Sequence, residues 1–157
     1  MDEFIPKLKE RFWQIDAKGN LRVEGKPDEK LVEGREGVLQ MIDELTRKNN
    51  NQRLRKIYPL YWSNAMSLAA KDYCDSLVKE KKIKRTGPQA RDIEGINNSL
   101  NKFGGWRKYY GVNVMVSRGD SAKDIMLSMF IDDGEKGRGS RTRIWNSLFK
   151  KTGVATC

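Results

Sequence analysis

The sequence predicts an α+β fold, rich in helix and carrying one small sheet. Three observations lead there. Apolar side chains recur at helical spacing in five separate stretches between Phe4 and Phe130. Alternation with period two is convincing only once, where Val112, Val114 and Val116 interleave with Asn113, Met115 and Ser117. A composition of 38% hydrophobic and 33% charged residues over 157 positions suits one soluble domain with a real core.

The first helix is expected over Phe4 to Ile15, with Phe4, Ile5, Leu8, Phe12 and Ile15 on the helical repeat, and Asp16-Ala17-Lys18-Gly19-Asn20 breaks it. Gly25 to Gly37 is polar, holds three Gly and one Pro, and reads as an extended loop. Val38, Leu39, Met41, Ile42 and Leu45 form one face of a second helix that dissolves at Asn49-Asn50-Asn51. Ser63 is placed to cap the third helix, in which Met66, Ala69, Ala70, Tyr73 and Leu77 recur up to Val78, before the charged run Lys79 to Arg85. A fourth helix over Asp92 to Phe103 aligns Ile93, Ile96, Leu100 and Phe103, and Gly104-Gly105 stops it. Ser121-x-x-Asp124 has the form of a capping box with Asp for the usual Glu, ahead of Ile125, Met126, Met129 and Phe130; Asp132-Asp133-Gly134 ends that helix. Ile144, Trp145, Leu148 and Phe149 make a last apolar cluster, and Gly153 to Cys157 begins a strand. The expected organisation is a single domain over 1–157, an N-terminal helix and polar loop (1–37) preceding the core (38–157).

The net charge of +10 implies an acidic partner: a protein, an anionic lipid surface or nucleic acid. The chain contains no histidine, which removes the commonest general base and the commonest zinc ligand together. Cys74 and Cys157 could form one bridge; the reading adopted is two free thiols in a reducing compartment. No apolar stretch follows Met1 to Glu10 as a signal peptide would require, and no apolar run approaches the roughly 20 residues of a membrane span, so the expectation is a cytoplasmic, non-secreted protein.

Several blocks together resemble the CAP superfamily (cysteine-rich secretory, antigen 5 and pathogenesis-related proteins; SCP domains), nearest to its protist and bacterial branch. Pro59-Leu60-Tyr61-Trp62 followed by Leu68-Ala69-Ala70 is similar to the family's helix opening. Phe103-Gly104-Gly105-Trp106 and then Gly111-Val112-Asn113-Val114 resembles its Gly-Glu-Asn-Ile signature with Val112 for Glu. Phe130-Ile131-Asp132-Asp133-Gly134, Arg138-Gly139-Ser140-Arg141, Ile144-Trp145-Asn146 and Phe149-Lys150-x-x-Gly153-Val154 resemble its C-terminal signature. The resemblance implies an α-β-α sandwich around a small antiparallel sheet. Family chains carry a further strand or two beyond the position of Cys157 and more helix before Phe4. The expectation is therefore a fragment or a domain trimmed at both ends, with an open sheet edge that another chain completes.

The family's cleft holds two His and two carboxylates, which bind zinc in some members. Carried over, the first His falls on Arg85, the first Glu on Val112, the second carboxylate on Asp133 and the second His on Ser140. A single remaining acid cannot hold zinc, so no metal, no cofactor and no catalytic residue are expected. Asp133 before Gly134 also reads as a turn former. Two basic runs, one with Lys81, Lys82, Lys84 and Arg85 and the other with Lys136, Arg138, Arg141, Arg143, Lys150 and Lys151, convert the degenerate cleft into a docking surface for anions on this reading. Ordinary solvated surface is the alternative for both runs. Trp106, Tyr109 and Tyr110 interleave with Arg107 and Lys108 as base-stacking residues could, though the resemblance makes Trp106 a core or loop anchor. The expected function is a non-catalytic binding or scaffold module of an intracellular assembly, docking acidic proteins. A lipid-surface binder and a structural part of a ciliary microtubule assembly are the alternatives, while nucleic acid rests on charge alone.

Overall fold

The elements in chain order are α1 (Phe4–Trp13), β1 (Asn20–Leu21), β2 (Glu29–Lys30), α2 (Arg35–Asn50), β3 (Tyr61–Trp62), α3 (Asn64–Lys79), β4 (Gly87–Pro88), α4 (Ile93–Phe103), β5 (Met115–Val116), α5 (Ala122–Ile131), α6 (Gly139–Ile144) and β6 (Lys151–Thr152). They come from a computed structural model that describes residues 4–50, 59–81, 87–88, 92–104, 109–117, 120–135 and 137–157. The class is α+β. Among the described residues the strands form three separate two-stranded pairs, β1 with β2 and β4 with β5 antiparallel, β3 with β6 parallel. The chain divides into two compact units, Met1–Leu54 with Ser117–Arg141 and Arg55–Val116 with Thr142–Cys157.

Three helices start where a short polar side chain can take up an otherwise orphan backbone N–H. Ser63 Oγ accepts from Met66 N–H at 3.4 Å, Asp92 Oδ1 from Gly95 N–H at 3.1 Å, and Ser121 Oγ from Asp124 N–H at 3.2 Å. The Ser121 cap is reciprocal, its hydroxyl donating to Asp124 Oδ2 at 2.7 Å. That bond, and then the Arg11 and Lys26 charges, hold the Asp124 carboxyl below its ordinary range.

In the first unit α1 packs on α2 and α2 on α5. Leu8, Val38, Met41, Leu45, Leu127, Phe130 and Ile131 are buried there, each contributing about 1.5–3 kcal/mol if fully removed from water. Phe4 meets Phe130 edge to face at 5.2 Å. Leu39, expected on the inner face of α2, is exposed. The first helix stops at Trp13, two residues short of expectation, because Ile15 leaves it to bridge Leu21. Asp16 makes the turn: Oδ1 accepts from the N–H groups of Lys18 and Asn20 at 2.9 Å, and Oδ2 from the Asn20 amide at 3.0 Å. The stretch from Gly25 to Gly37 holds β2 and the start of α2. There Arg35 Nε donates to Ile15 O at 2.8 Å while the guanidinium lies 5.0 Å over the Phe12 ring.

In the second unit α3 packs on α4, bringing Ala69, Tyr73 and Leu77 onto Ile96 and Leu100. Phe103, Tyr110, Val112 and Val114 close over this cluster. The alternation at 112–116 therefore yields only the two-residue strand β5, since Val112 and Val114 give their side chains to the helical core. Ile93, expected with Ile96 and Leu100, points to solvent. Tyr73 Oη accepts from Asp92 N–H at 3.0 Å, tying the start of α4 to α3. Asp72 accepts from Ser99 Oγ at 2.6 Å and from Lys102 Nζ at 2.9 Å, and those bonds lower its pKa, the serine first.

The last strand begins at Lys151, before the expected Gly153, and Gly153 serves packing instead. A Cβ there would lie 2.3 Å from Ser67 N and 2.4 Å from Met66 C, so only glycine lets the chain lie this close to the α3 backbone. Four extended residues reach about 13 Å, and α3 rises about 10 Å from Ser67 to Cys74. The tail thus runs alongside α3, and Cys74 and Cys157 are joined as a disulfide with Cα atoms 5.8 Å apart. This corrects the expectation of two free thiols: a separation of 83 residues says nothing of proximity until β6 has paired with β3.

Two outcomes follow. Replacing Cys157 by Ser, or reducing the bond, is expected to cost about 2–5 kcal/mol of unfolding free energy, read from denaturant midpoints with and without reductant. Asp16, whose pKa is lowered from 3.8 to about 2 by the Asn20 backbone and side-chain bonds, stabilises its turn fully above the ordinary carboxylate value. That contribution is lost as pH falls toward about 2, so Asp16→Asn is expected to flatten the acid limb of a pH–stability curve over that interval.

Candidate functional site

A helix leaves its last carbonyl oxygens without intrahelical donors. At the end of α5 two arginines supply them, Arg138 from the following loop and Arg141 from α6. Arg141 Nε donates to Phe130 O at 2.6 Å, its Nη2 to Ile131 O at 2.9 Å and its Nη1 to Glu44 at 2.8 Å. Arg138 Nη1 donates to Asp132 O at 2.9 Å, and its Nη2 to Gln40 Oε1 at 2.6 Å and to Glu33. Asp132 stops the helix in the left-handed conformation, φ 55° and ψ 46°, its N–H returning to Ser128 O.

The two adjacent carboxylates have different tasks. Asp132 is fully buried, and its Oδ2 accepts from Ser140 N–H at 2.8 Å and Arg141 N–H at 3.4 Å, covering the first amides of α6. Its Oδ1 has no hydrogen-bond partner among the described residues. Asp133 Oδ2 accepts from Val32 N–H at 2.6 Å and Oδ1 from Glu33 N–H at 2.8 Å, so this carboxylate pins the loop that leads into α2. Gly134, at φ 75°, lies under Val32, where a Cβ would approach Cγ2 to 2.9 Å.

These are the positions on which the carried-over cleft falls. Asp133 and Ser140 belong to one unit, Asp133 in the loop after α5 and Ser140 buried in the first turn of α6. Val112 belongs to the other unit, where its side chain packs on the α3–α4 core. Arg85 lies outside the described residues, as do Lys82, Lys84, Lys136 and Trp106. Of the arginines expected to dock anions, Arg141 is 4% exposed and Arg138 is partly buried, and both guanidinium groups are engaged with carbonyls and carboxylates of their own unit. Arg143 donates from Nε to Asn113 Oδ1 at 2.6 Å. A buried guanidinium whose three nitrogens are each bonded within its own unit is poorly placed to meet an incoming acid, so Arg141 stands as a structural residue. Among the described residues no group of three or more Cys, Asp and Glu could hold a metal ion.

Reading the sequence alone missed Asp132, Glu33 and Glu44. The signal for Asp132 was the Asp-Asp-Gly terminator, since Asp tolerates the left-handed conformation better than most residues. For Glu33 and Glu44 no local signal existed, because their partners lie about a hundred positions away along the chain.

Arg141→Met is expected to remove one donor each from the Phe130 and Ile131 carbonyls and from the Glu44 carboxylate. The cost is about 3 kcal/mol or more in a urea titration, with Arg141→Lys recovering only part because one ammonium cannot span three acceptors.

No family model matches the chain, and neither does any curated protein or solved structure. The CAP resemblance rests on sequence motifs alone.

Proposed function

We propose that the chain is a non-catalytic docking module of the CAP kind, acting within a larger assembly and binding acidic protein surfaces. The observation that carries this reading is the use made of Asp133 and Ser140. At the positions where the family holds a carboxylate and a histidine, this chain has a carboxylate committed to two backbone N–H groups and a buried serine. No histidine is available to act as a base or ligand beside them. The surplus of ten positive charges then favours association with anions over chemistry.

The basic surface of this reading is lysine-rich. Lys150 and Lys151 are exposed, as are Lys79 and Lys81 at the end of α3. The cytoplasmic placement rests in part on free thiols, and those thiols are paired. The assembly is accordingly better sought where disulfides persist. No helix among the described residues is long and apolar enough to cross a membrane.

Poly-glutamate serves as the probe. Binding is expected at low salt, with the logarithm of the affinity falling as salt rises, and the triple variant Lys82→Ala, Lys84→Ala, Arg85→Ala is expected to bind several-fold more weakly. Zinc is expected to give no heat in a calorimetric titration. Tight zinc binding, or no poly-glutamate binding at low salt, would end the docking reading; preference for anionic vesicles over poly-glutamate would replace it with a lipid surface.

A further inference from the structure

The second unit carries an open strand edge set among exposed aromatics and lysines. Tyr61 N–H donates to Lys150 O and Ser63 N–H to Thr152 O, both at 2.8 Å. Main-chain groups alternate sides along a strand. The N–H and C=O of Trp62 therefore face away from β6, on an edge that no other described strand covers. Leu60, Tyr61 and Trp62 are 40%, 75% and 60% exposed. Tyr61 stands opposite Lys151 on one face of the pair and Trp62 opposite Thr152 on the other. Neither Pro59 to Leu68 nor Asn146 to Cys157 contains an acidic residue, while Lys150 and Lys151 are exposed beside the edge.

We infer that the outer edge of β3 is a strand-addition site for an extended acidic segment of a partner protein, one in which carboxylates alternate with apolar side chains. The inference rests on the docking reading above and names the place and the form of the ligand. The period of two assigns the faces: the carboxylates of the added strand share the Tyr61 and Lys151 face, and its apolar side chains share the Trp62 face. The edge is held ready. Ser63 caps α3 directly behind β3, and Gly153 and the Cys74–Cys157 bond fix β6 against α3. A register this short gives few backbone bonds, so the aromatic side chains and the lysines supply most of the affinity.

The test uses the full chain and the peptide acetyl-(Glu-Val)4-amide, followed by fluorescence anisotropy and amide hydrogen exchange. Saturation is expected to slow exchange of the Trp62 N–H. Trp62→Pro deletes the outward donor, is tolerated at an outer edge position, and leaves the Tyr61 and Ser63 N–H groups bonded to β6. Trp62→Ala deletes only the indole. Trp62→Pro is expected to bind the peptide about tenfold more weakly than Trp62→Ala, with both variants melting cooperatively. Equal binding by the two variants, or an unprotected Trp62 N–H in the saturated wild type, overturns strand addition even if the proline variant folds poorly. If poly-glutamate still binds in that case, the docking reading survives and only this site is lost. Self-association abolished by Trp62→Pro without peptide binding overturns the acidic ligand in favour of a second copy of the chain.

Discussion

The carbonyl oxygens at the end of α5 set the terms for the first unit. Phe130, Ile131 and Asp132 present acceptors that no residue of the helix can reach, and two guanidinium groups turn inward to serve them. Each arginine then requires a counter-charge, which Glu44 provides for Arg141 and Glu33 for Arg138, both from the far side of the sequence. A buried guanidinium stripped of one acceptor would be costly, so the network constrains α2, the loop before it and the α5–α6 loop together. Asp133 adds a second tie from the same loop to Val32 and Glu33. The segment that joins α5 to α6 is, in this unit, a clamp.

A comparable constraint governs the second unit, this time of space. Because Gly153 has no Cβ, the C-terminal stretch lies against the α3 backbone, and because it lies there, β6 can pair with β3 and Cys157 can reach Cys74. The parallel pairing decides which main-chain groups of β3 are spent and which remain. The exposure of Tyr61 and Trp62 is thus tied to a glycine some ninety residues later.

Local physics was legible in the sequence, and long-range pairing was not. Ser63 and Ser121 cap the helices they were expected to cap, since a cap is decided within three residues, and Asp92, expected as the first residue of its helix, caps it instead. Helical periodicity found Leu8, Val38, Met41, Tyr73, Leu77, Ile96 and Leu100, all buried. The alternation at 112–116 found a strand, but only its last two residues pair, because valines with period two can line a helical core as readily as a sheet face and nothing local tells which partner arrives. The basic run around Arg138 misled for the same reason. Charge on a side chain is visible in sequence, but the carboxylates and carbonyls that absorb it are visible only after folding. The cysteine pair depended on a strand register that two residues of β6 do not announce.

The two kinds of cation differ in burial in a way that bears on docking. Among the described residues Arg11, Arg35, Arg138, Arg141 and Arg143 are partly or fully buried and Arg22 and Arg47 are exposed, whereas every lysine with a described side chain except Lys26 is exposed. The planar fork of arginine suits fixed, multiple acceptors, and these arginines meet carbonyls, carboxylates and a ring face of their own chain. Lysine is a mobile point charge on a flexible stem, strongly hydrated, and it attracts an acid without fixing its orientation. A surface made chiefly of lysines therefore raises the encounter rate with acidic partners but specifies little about how they lie. On the proposed reading, orientation has to come from groups with direction, and in the second unit those are the Trp62 main-chain donor and acceptor and the rings on either side of them. Long-range attraction and short-range register would then reside in different residues, so that salt weakens the first while leaving the geometry of the second unchanged.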